Sequence, residues 1–397
     1  MVKALHNIRV LDFGQLVAGP YCASLLGELG AEVIKIETPE SGETGRFIPP
    51  NTEGNECYPF IINNRGKRSV TLNLKTEQGR EIAKKMIFKS DILIENFSFG
   101  IMDKLGLGYD DLVKIYPSLI YASITGFGHT GPRSGQAALD IIAEAMGGFM
   151  GVTGFPDKPP TKAGVVLGDY LSALYTTIAI EAAIYHRERT GKGQHIDISM
   201  QDCVWAIISS EHLPNYAMHG QIPVRYGNGH PTVFPYDTYP AKDGYVALAT
   251  ANVGQWEKLL KAIGRSDLIG MPKYTTVIER VKHWAEVDAF ISDWTSKRTV
   301  NEVVTELNNA NLPCSQIQTV SDVVHDPQII SRGMIQEIEQ VISGKLMVPG
   351  SVFKMSATPG DSRAPAPFLG QHNHEVYSSI LGYSDQEITE LQERGII

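Results

Sequence analysis

Asp169 is the residue whose type and position first suggest chemistry. It stands in the string KAGVVLGDYLSALY, directly after Gly168 and at the start of a long apolar helix. An aspartate in the first turn of a helix commonly accepts hydrogen bonds from backbone N–H groups, and the helix dipole favours its charge. Such donors would keep the carboxylate ionised at neutral pH, and only the ionised form can attack as a nucleophile. A capping role and a catalytic role are both open, and they are compatible.

Four basic residues form a second group that could do chemistry. Lys67, Arg68 and Lys75 fall in one short run around a predicted strand, and Lys104 follows the turn ENFSFG. Phosphate groups are bound by Lys, Arg and backbone amides. A basic run is also typical of a solvated strand edge, so the residues alone leave both interpretations open.

Alternating strands and helices must position these residues. Strands are predicted at residues 8–13, 31–37, 69–74, 92–95, 119–125 and 195–199, and helices from 19, over 77–89, over 139–151 and after 169. The helix at 139–151 is expected to be buried. The apolar face of the long helix after Asp169 should comprise Leu171, Leu174, Ile178, Ile180 and Ile184. Strands that alternate with helices predict a doubly wound parallel sheet, an α/β fold.

The character of the chain changes after residue 220. A loop rich in glycine and proline leads into a strand at 245–249 and helices at 255–263, 277–295 and 300–310. Two strands, at 334–338 and 346–349, and a terminal helix at 385–394 follow. We interpret residues 221–325 as a second, smaller α+β domain.

Composition argues against several classes of protein. The net charge of −9 lacks the basic face of a nucleic-acid binder. No run approaches the roughly 18 apolar residues of a membrane span, and the start lacks a signal-peptide stretch, which predicts a cytoplasmic protein. Cys22, Cys57, Cys203 and Cys314 show no metal-ligand spacing, so no metal site is expected. The first strand-to-helix turn reads GQLVAGP rather than GxGxxG, which argues against a dinucleotide enzyme.

Six strings carry a resemblance to a known family. They are LVAGPYCASLLGELGAEVIKIE (16–37), NRGKRSVTLNLK (64–75), ENFSFG (95–100), KLGLGYDDL (104–112), YASITGFGHTGP (121–132) and RTGKGQHIDISMQD (189–202). In this order they resemble the family III CoA-transferases, whose relatives include the α-methylacyl-CoA racemase. The resemblance covers essentially the whole chain and is strongest over residues 8–205.

The resemblance implies a particular architecture. The large, Rossmann-like CoA-binding domain would comprise residues 1–220 and be completed by a return segment, 326–397, around the inserted domain at 221–325. Two such chains would interlock, so a homodimer is expected, and a heteromer is possible. The expected ligands are an acyl-CoA and a small carboxylic acid, with coenzyme A as substrate and no tightly bound cofactor.

The resemblance also implies roles for particular residues. Asp169 matches the family's catalytic aspartate, which would pass through a mixed anhydride and an aspartyl-CoA thioester. Gly227 and Gly229 match a glycine-rich flap that would exclude water and turn N–H groups toward an oxyanion; a plain surface turn is the alternative. The matched CoA-binding positions near the thioester are Gln15, Val17 and Ala18. Those that hold the nucleotide end are Lys75, Asn96, Phe97 and Lys104, and Arg68 of the same basic run is also expected to bind CoA.

Two other functions compete with transfer. The racemase needs a His just before an Asp in a buried helix, and this chain has Leu139 before Asp140. Leucine cannot move a proton, which favours the transferase. A non-catalytic CoA-binding subunit is the second alternative, and the intact Asp169 argues against it. Val17 stands where the oxalate enzyme has glutamine, which favours a larger or less polar acid, with succinyl-CoA among the candidate donors.

Overall fold

A computed structural model describes residues 2–361 and 363–397 of the chain. The chain divides into two compact units. The first comprises Met1–Phe149, Lys162–Pro214 and Pro327–Ile397, and the second comprises Met150–Thr161 and Asn215–Asp326. The sequence places the inserted domain at 221–325. The short segment Met150–Thr161, which also belongs to the second unit, was not predicted.

The strands and helices follow one another along the chain with short connections. The strands are β1 (Arg9–Asp12), β2 (Glu32–Glu37), β3 (Arg68–Thr71), β4 (Ile92–Glu95), β5 (Ile120–Thr125), β6 (His195–Ser199), β7 (Tyr236–Ala241), β8 (Gly244–Ala249), β9 (Cys314–Gln316), β10 (Ile335–Gln340) and β11 (Gly344–Pro349). The helices are α1 (Ala18–Glu28), α2 (Tyr58–Asn64), α3 (Glu77–Ile87), α4 (Ile101–Lys104), α5 (Tyr109–Leu112), α6 (Asp140–Met146), α7 (Phe149–Val152), α8 (Leu167–Thr190), α9 (Met200–His219), α10 (Val253–Ala262), α11 (Pro272–Thr275), α12 (Val277–Lys282), α13 (Trp284–Thr295), α14 (Val300–Asn309), α15 (Val320–His325), α16 (Pro327–Ser331), α17 (Asn373–Leu381) and α18 (Asp385–Glu393).

A six-stranded sheet forms the centre of the first unit. Its strand order is β3-β2-β1-β4-β5-β6, and every pair is parallel. The predicted mixed α/β fold with a parallel, Rossmann-like sheet is confirmed. The order reverses between β1 and β4, and the crevice at the carboxyl ends of two such strands is where open α/β sheets bind ligands.

Helices cover both faces of this sheet because its strands are apolar on both sides. Leu11 and Leu93 face a core that includes residues of α3, α17 and α18. Val10 and Ile94 face the opposite core, which includes residues of α1 and α8. Continuous apolar runs of this kind are typical of parallel strands buried on both faces.

The end of the chain packs against β3. Asn373 in α17 accepts a hydrogen bond from the N–H of Thr71 at 2.8 Å, and the Tyr377 hydroxyl donates to the Thr71 carbonyl at 2.6 Å. These two side chains fasten the return segment to the sheet.

The second unit has its own sheet and core. Strands β7, β8 and β9 form an antiparallel sheet. Helices α10, α13 and α14 supply Trp256, Leu259, Ile291 and Leu307 to the apolar core that covers it. This unit is therefore α+β in composition.

Two helix predictions need correction. The predicted buried helix at 139–151 is two short helices, α6 and α7, and Leu139 before them is 68% exposed. In α8 the predicted apolar face is only partly buried: Ile180 and Ile184 are buried, whereas Leu174 and Ile178 are 43% and 65% exposed. Small side chains such as Ala173 face the core instead, because α8 packs closely against α1. Among the described residues, no helix is both long and apolar enough to cross a membrane.

A buried cluster of charges lies behind the first strand-to-helix turn. Lys67 donates to Asp12 at 2.8 Å, and the Lys35 ammonium lies 3.5 Å from Asp12 and 3.6 Å from Glu43. All four side chains are almost completely buried. Two cations and two carboxylates balance one another, which is the condition under which buried charge is tolerated.

Removing one member of this cluster should be costly. We expect Asp12→Ala to lower the free energy of unfolding by about 3–5 kcal/mol, because two buried ammonium groups lose a shared partner. Chemical denaturation measures this. Lys297→Ala, which removes an exposed ion pair with Asp293, is the control and should leave the midpoint nearly unchanged. Equal midpoints for both variants would show that the cluster contributes little to stability.

Candidate active site

A cavity of about 390 Å³ opens at the carboxyl edge of the sheet, where the strand order reverses. Its walls come from the turns after β1, β4 and β5, from the segment before α6, and from the start of α8. The lining residues are Gln15, Leu16, Ala18, Asn96, Phe97, Ser98, Phe99, Ile124, Thr125, Gly126, Ser134, Gly135, Gln136, Ala137, Ala138, Leu139, Asp169 and Met200. Asp169 is the one side chain with a carboxyl, amino, imidazole or thiol group among the described residues that line it.

Asp169 is the third residue of α8 and is largely buried. Burial, with the negative charge of Asp140 adding to it, raises the pKa of Asp169 to about 6. The prediction that helix-start N–H groups would hold this carboxylate is wrong. None of the described residues donates a hydrogen bond to it, and the N–H of Gly168 instead donates to Asp140 at 2.8 Å. At pH 7 the group is still about nine-tenths ionised, and it is poorly solvated, both of which suit a nucleophile.

Asp140 and Glu144 position the segment that leads into α8. They lie one turn apart on α6: Asp140 accepts the Gly168 N–H, and Glu144 accepts the N–H of Ala163 at 2.7 Å. Burial raises the pKa of Glu144. The hydrogen bond from the Ala163 N–H lowers this pKa, whereas the negative charge of Asp140 raises it. No role for this pair was predicted from the sequence. Two acids four residues apart in the otherwise apolar string DIIAEA were the available signal.

Several predicted CoA-binding residues meet at the cavity. Gln15, Ala18, Asn96 and Phe97 line it beside Asp169. Val17 stands at the N-cap of α1, immediately before Ala18. These residues come together because each follows the carboxyl end of β1 or β4, which are neighbours in the sheet.

The predicted basic residues are dispersed. Lys75 lines a separate cavity of about 670 Å³ beyond β2 and β3, together with Asn73 and Thr38. Lys104 is exposed at the end of α4. Arg68 begins β3, at the opposite edge of the sheet from Asn96, and pairs with Glu32 at 2.8 Å. Lys67 is buried in the charge cluster, so it is not a surface phosphate ligand.

The glycines of the predicted flap belong to the second unit. The N–H of Gly227 donates to the Gly154 carbonyl at 3.0 Å, and that of Gly229 donates to the Tyr226 carbonyl at 3.0 Å. Gly227 has a φ of +64°, and a Cβ there would lie 2.8 Å from the Phe155 ring. The two N–H groups are thus used within the unit, and an oxyanion role would require these bonds to break. Among the described residues, no group of three metal-ligating side chains is found.

Comparison with known proteins assigns the family. The sequence profile named CoA-transferase family III matches residues 5–373. The chain belongs to CoA-transferase family III. It is therefore an enzyme that uses CoA thioesters, and the resemblance found in the sequence is confirmed.

Relatives of this family III CoA-transferase match along their whole length. One is the succinyl-CoA:mesaconate CoA-transferase of Haloarcula marismortui, 39% identical over 94% of this chain and 95% of the relative. Another is the succinyl-CoA–D-citramalate CoA-transferase of Chloroflexus aurantiacus, 34% identical over 100% of this chain and 98% of the relative. The crystal structure of a CaiB/BaiF family protein from Brucella suis is similar in fold, with a TM-score of 0.85 and 37% identity over 96% of this chain and 100% of that chain.

The rate at which this CoA-transferase reacts with an acyl-CoA should follow the ionisation of Asp169. Because protonation removes the nucleophile, we expect the single-turnover rate to fall as pH drops through about 6. Asp140→Asn keeps an oxygen for the Gly168 N–H but removes a negative charge, so the midpoint should move to lower pH. A wild-type midpoint near 4, or an unmoved midpoint in the variant, would contradict this assignment.

Asp169 should also reduce the stability of the fold at neutral pH. Its pKa is raised on folding from 3.8 to about 6, so the folded chain favours the protonated carboxyl. The stability that the protonated carboxyl contributes is fully present below about pH 4 and is lost as pH rises through 6. We expect Asp169→Asn to raise the free energy of unfolding by about 3 kcal/mol at pH 7.5 and by less than about 1 kcal/mol at pH 4, measured by urea denaturation. A destabilised variant at pH 7.5 would contradict the burial argument.

Proposed function

We propose that this enzyme transfers CoA between carboxylic acids through covalent intermediates on Asp169. The observation that carries the proposal is the isolation of one raised-pKa carboxylate at the ligand-binding edge of the sheet, in a chain of this family. A carboxylate can accept the acyl group of a thioester as an anhydride and then bind CoA as its own thioester, which conserves the thioester's energy provided that water is excluded. The partly apolar walls, with Phe97, Phe99, Ile124 and Met200, favour that exclusion.

The chemistry proceeds in two matched halves. An Asp169 oxygen attacks the thioester carbonyl of the donor, the C–S bond breaks, and CoA thiolate leaves a mixed anhydride. The thiolate then attacks the Asp169 carbonyl carbon and releases the donor acid, which carries away the bridging oxygen. The acceptor carboxylate attacks the resulting aspartyl-CoA thioester, and the same steps run in reverse. No net proton is consumed, so no second base is required.

The start of α1 could stabilise the tetrahedral intermediates. In the described part of the chain, no side chain caps the first N–H groups of this 11-residue helix, and Val17 and Ala18 supply two of them. Ala18 lines the same cavity as Asp169. Uncapped N–H groups at a helix start favour a developing negative charge. This arrangement supports placing the thioester carbonyl near Val17 and Ala18.

The nucleotide end of CoA is proposed to lie toward Lys75. This side chain is exposed, has no carboxylate partner among the described residues, and lines the larger cavity beyond β2 and β3. Phe97 lines the Asp169 cavity, and β1 and β2 are neighbouring strands. A pantetheine arm is long enough to connect two cavities at one edge of a sheet. Lys104 stays a further candidate, whereas the paired Arg68 at the opposite edge is less suited.

The proposed donor is succinyl-CoA, and the proposed acceptor is a substituted short dicarboxylic acid. The names of both relatives above support this choice, since mesaconate and D-citramalate are five-carbon dicarboxylic acids. No Lys or Arg lines the cavity within the described part of the chain. The second carboxylate would therefore bind neutral donors, for which Gln15, Ser134 and Gln136 are available.

The cavity disfavours racemisation. Leu139, at the position where a racemase would have its histidine, lines the cavity and cannot move a proton. His129 lines a different cavity together with Glu95 and His195. Among the described residues that line the cavity, Asp169 is the one titratable group, so a second base for epimerisation is lacking there.

A dimer is proposed from the surface of α8. Leu174, Ile178 and Tyr185 follow one another at helical spacing and are 43%, 65% and 61% exposed. An apolar stripe of this length is typical of an interface. A second copy of this chain is the proposed partner, and sedimentation at micromolar concentration tests it: a monomer would contradict the proposal.

Trapping the intermediate tests the nucleophile. The enzyme is mixed with succinyl-CoA, treated with hydroxylamine or borohydride, and digested for mass spectrometry of the Asp169 peptide. We expect a hydroxamate or an alcohol at Asp169, and none in Asp169→Asn, which should also lose transferase activity by at least about 10³-fold. Asp202→Asn is a matched control, because Asp202 is likewise the third residue of a long helix but is exposed. An unmodified Asp169 in wild type with a full panel of acyl-CoAs would overturn the proposal.

A further inference from the structure

The backbone of the turn after β1 is held by side chains from three other segments as well as its own. Glycine is required at its first position, because a Cβ on Gly14 would lie 2.7 Å from an oxygen of Asp12. The contacts are Gly14 N–H to Asp12 at 2.8 Å, Lys35 Nζ to the Gly14 carbonyl at 2.7 Å, Gln15 N–H to Asn96 Oδ1 at 2.7 Å, Asn96 Nδ2 to the Gln15 carbonyl at 3.0 Å, and Leu16 N–H to Glu43 at 3.0 Å. Five consecutive backbone groups are thereby fixed.

The turn is held in a conformation that its sequence does not favour. Leu16 has a φ of +64°, in the left-handed region that side-chain-bearing residues rarely adopt. Such residues persist where the surroundings over-determine them, and they cluster at functional sites. Gln15 and Leu16 both line the cavity that contains Asp169. The strained backbone is therefore part of the wall of the site.

The buried charge cluster also forms hydrogen bonds with the backbone of this turn. Lys35 contacts Asp12 and Glu43, and each of these three side chains also bonds a backbone group of residues 14–16. A buried ion pair is weak evidence for stability, because desolvation opposes the attraction. Fixing the shape of the turn is a role that explains why these charges converge here.

Asn96 provides the direct link to the cavity. Its carbonyl oxygen and its amino group both bond to Gln15, so the amide joins the turn after β4 to the turn after β1. The Gln15 side chain is fixed in turn, because its Oε1 accepts the Thr44 N–H at 3.2 Å. The amide that the resemblance assigns to the CoA nucleotide is thus occupied by a neighbouring backbone.

We propose that Asn96 is a positioning residue rather than a CoA ligand, and that with Glu43 it holds Gln15 and the start of α1 in place against Asp169. This inference rests on the proposed role of Asp169. A ligand role predicts weaker CoA binding when Asn96 is replaced. A positioning role predicts that binding survives and that the chemical step slows.

Kinetics of Asn96→Ala separate these roles. We expect kcat to fall between about tenfold and a hundredfold, while the KM for succinyl-CoA and the calorimetric affinity for CoA stay within about threefold. Asn96→Asp has nearly the same shape but turns an oxygen toward the Gln15 carbonyl, so it should show the same loss and serves if the alanine variant fails to fold. Glu43→Gln should lower kcat in the same sense.

A matched control reports the effect of stability alone. Tyr116→Phe removes one hydrogen bond, to the Ser90 carbonyl at 3.0 Å, near the start of β4 at the opposite edge of the sheet. It should shift the denaturation midpoint without changing kcat. A raised KM with unchanged kcat in Asn96→Ala would overturn the proposal in favour of a CoA ligand, and unchanged kcat and KM would overturn it in favour of a purely structural role. A wild-type enzyme that shows no Asp169 adduct would instead refute the proposed function.

Discussion

Parallel strands bring all their carboxyl ends to one edge, and the site depends on this constraint. Between β1 and β4 the strand order reverses, so the turns that follow them diverge and leave a crevice. Gln15 and Asn96 stand in those turns, and α8 brings Asp169 to the same crevice. Gln15 and Asn96 are about 80 positions apart in the chain, and Asn96 and Asp169 are about 70 apart. They meet in the crevice because the sheet, rather than the local sequence, sets the distance between them.

Charged groups are buried on both sides of the crevice wall. Those behind the wall are paired with one another, whereas none of the described residues pairs with Asp169 inside the cavity. Behind the turn, Asp12, Lys35, Lys67 and Glu43 neutralise one another, although burial lowers the pKa of Lys67 to about 8. Inside the cavity, the carboxylate of Asp169 has no cation and no hydrogen-bond donor among the described residues, and its pKa rises. A paired group is inert, whereas an unpaired one is reactive.

The sequence predicted the features that local patterns encode. Alternation of apolar runs and glycine stops located every strand of the large sheet. The family resemblance pointed to Asp169, Gln15 and Asn96, which all line one cavity. Neither the local pattern nor the resemblance predicted the hydrogen bonds and ion pairs that distant residues make around the site. Asp140 accepts a hydrogen bond from the Gly168 N–H, 28 positions along the chain. Lys67 is buried because it donates to Asp12, from which it is 55 positions away. Exposure of Ile178 on α8 depends on packing against α1, which periodicity cannot show. The local pattern therefore determines where strands and helices form, whereas long-range contacts determine whether a side chain is buried, exposed or paired.

In the proposed mechanism, Asp169 carries CoA from the donor acid to the acceptor acid and carries one oxygen from the acceptor acid to the donor acid. Isotope transfer tests this most directly. The wild-type enzyme is given succinyl-CoA and an acceptor acid labelled with ¹⁸O in its carboxylate, over many turnovers in unlabelled water. Each cycle should leave one acceptor oxygen on Asp169, and the next should release it in succinate, so labelled succinate is the predicted result. Succinate without ¹⁸O, formed while the acceptor gains CoA, would contradict the account.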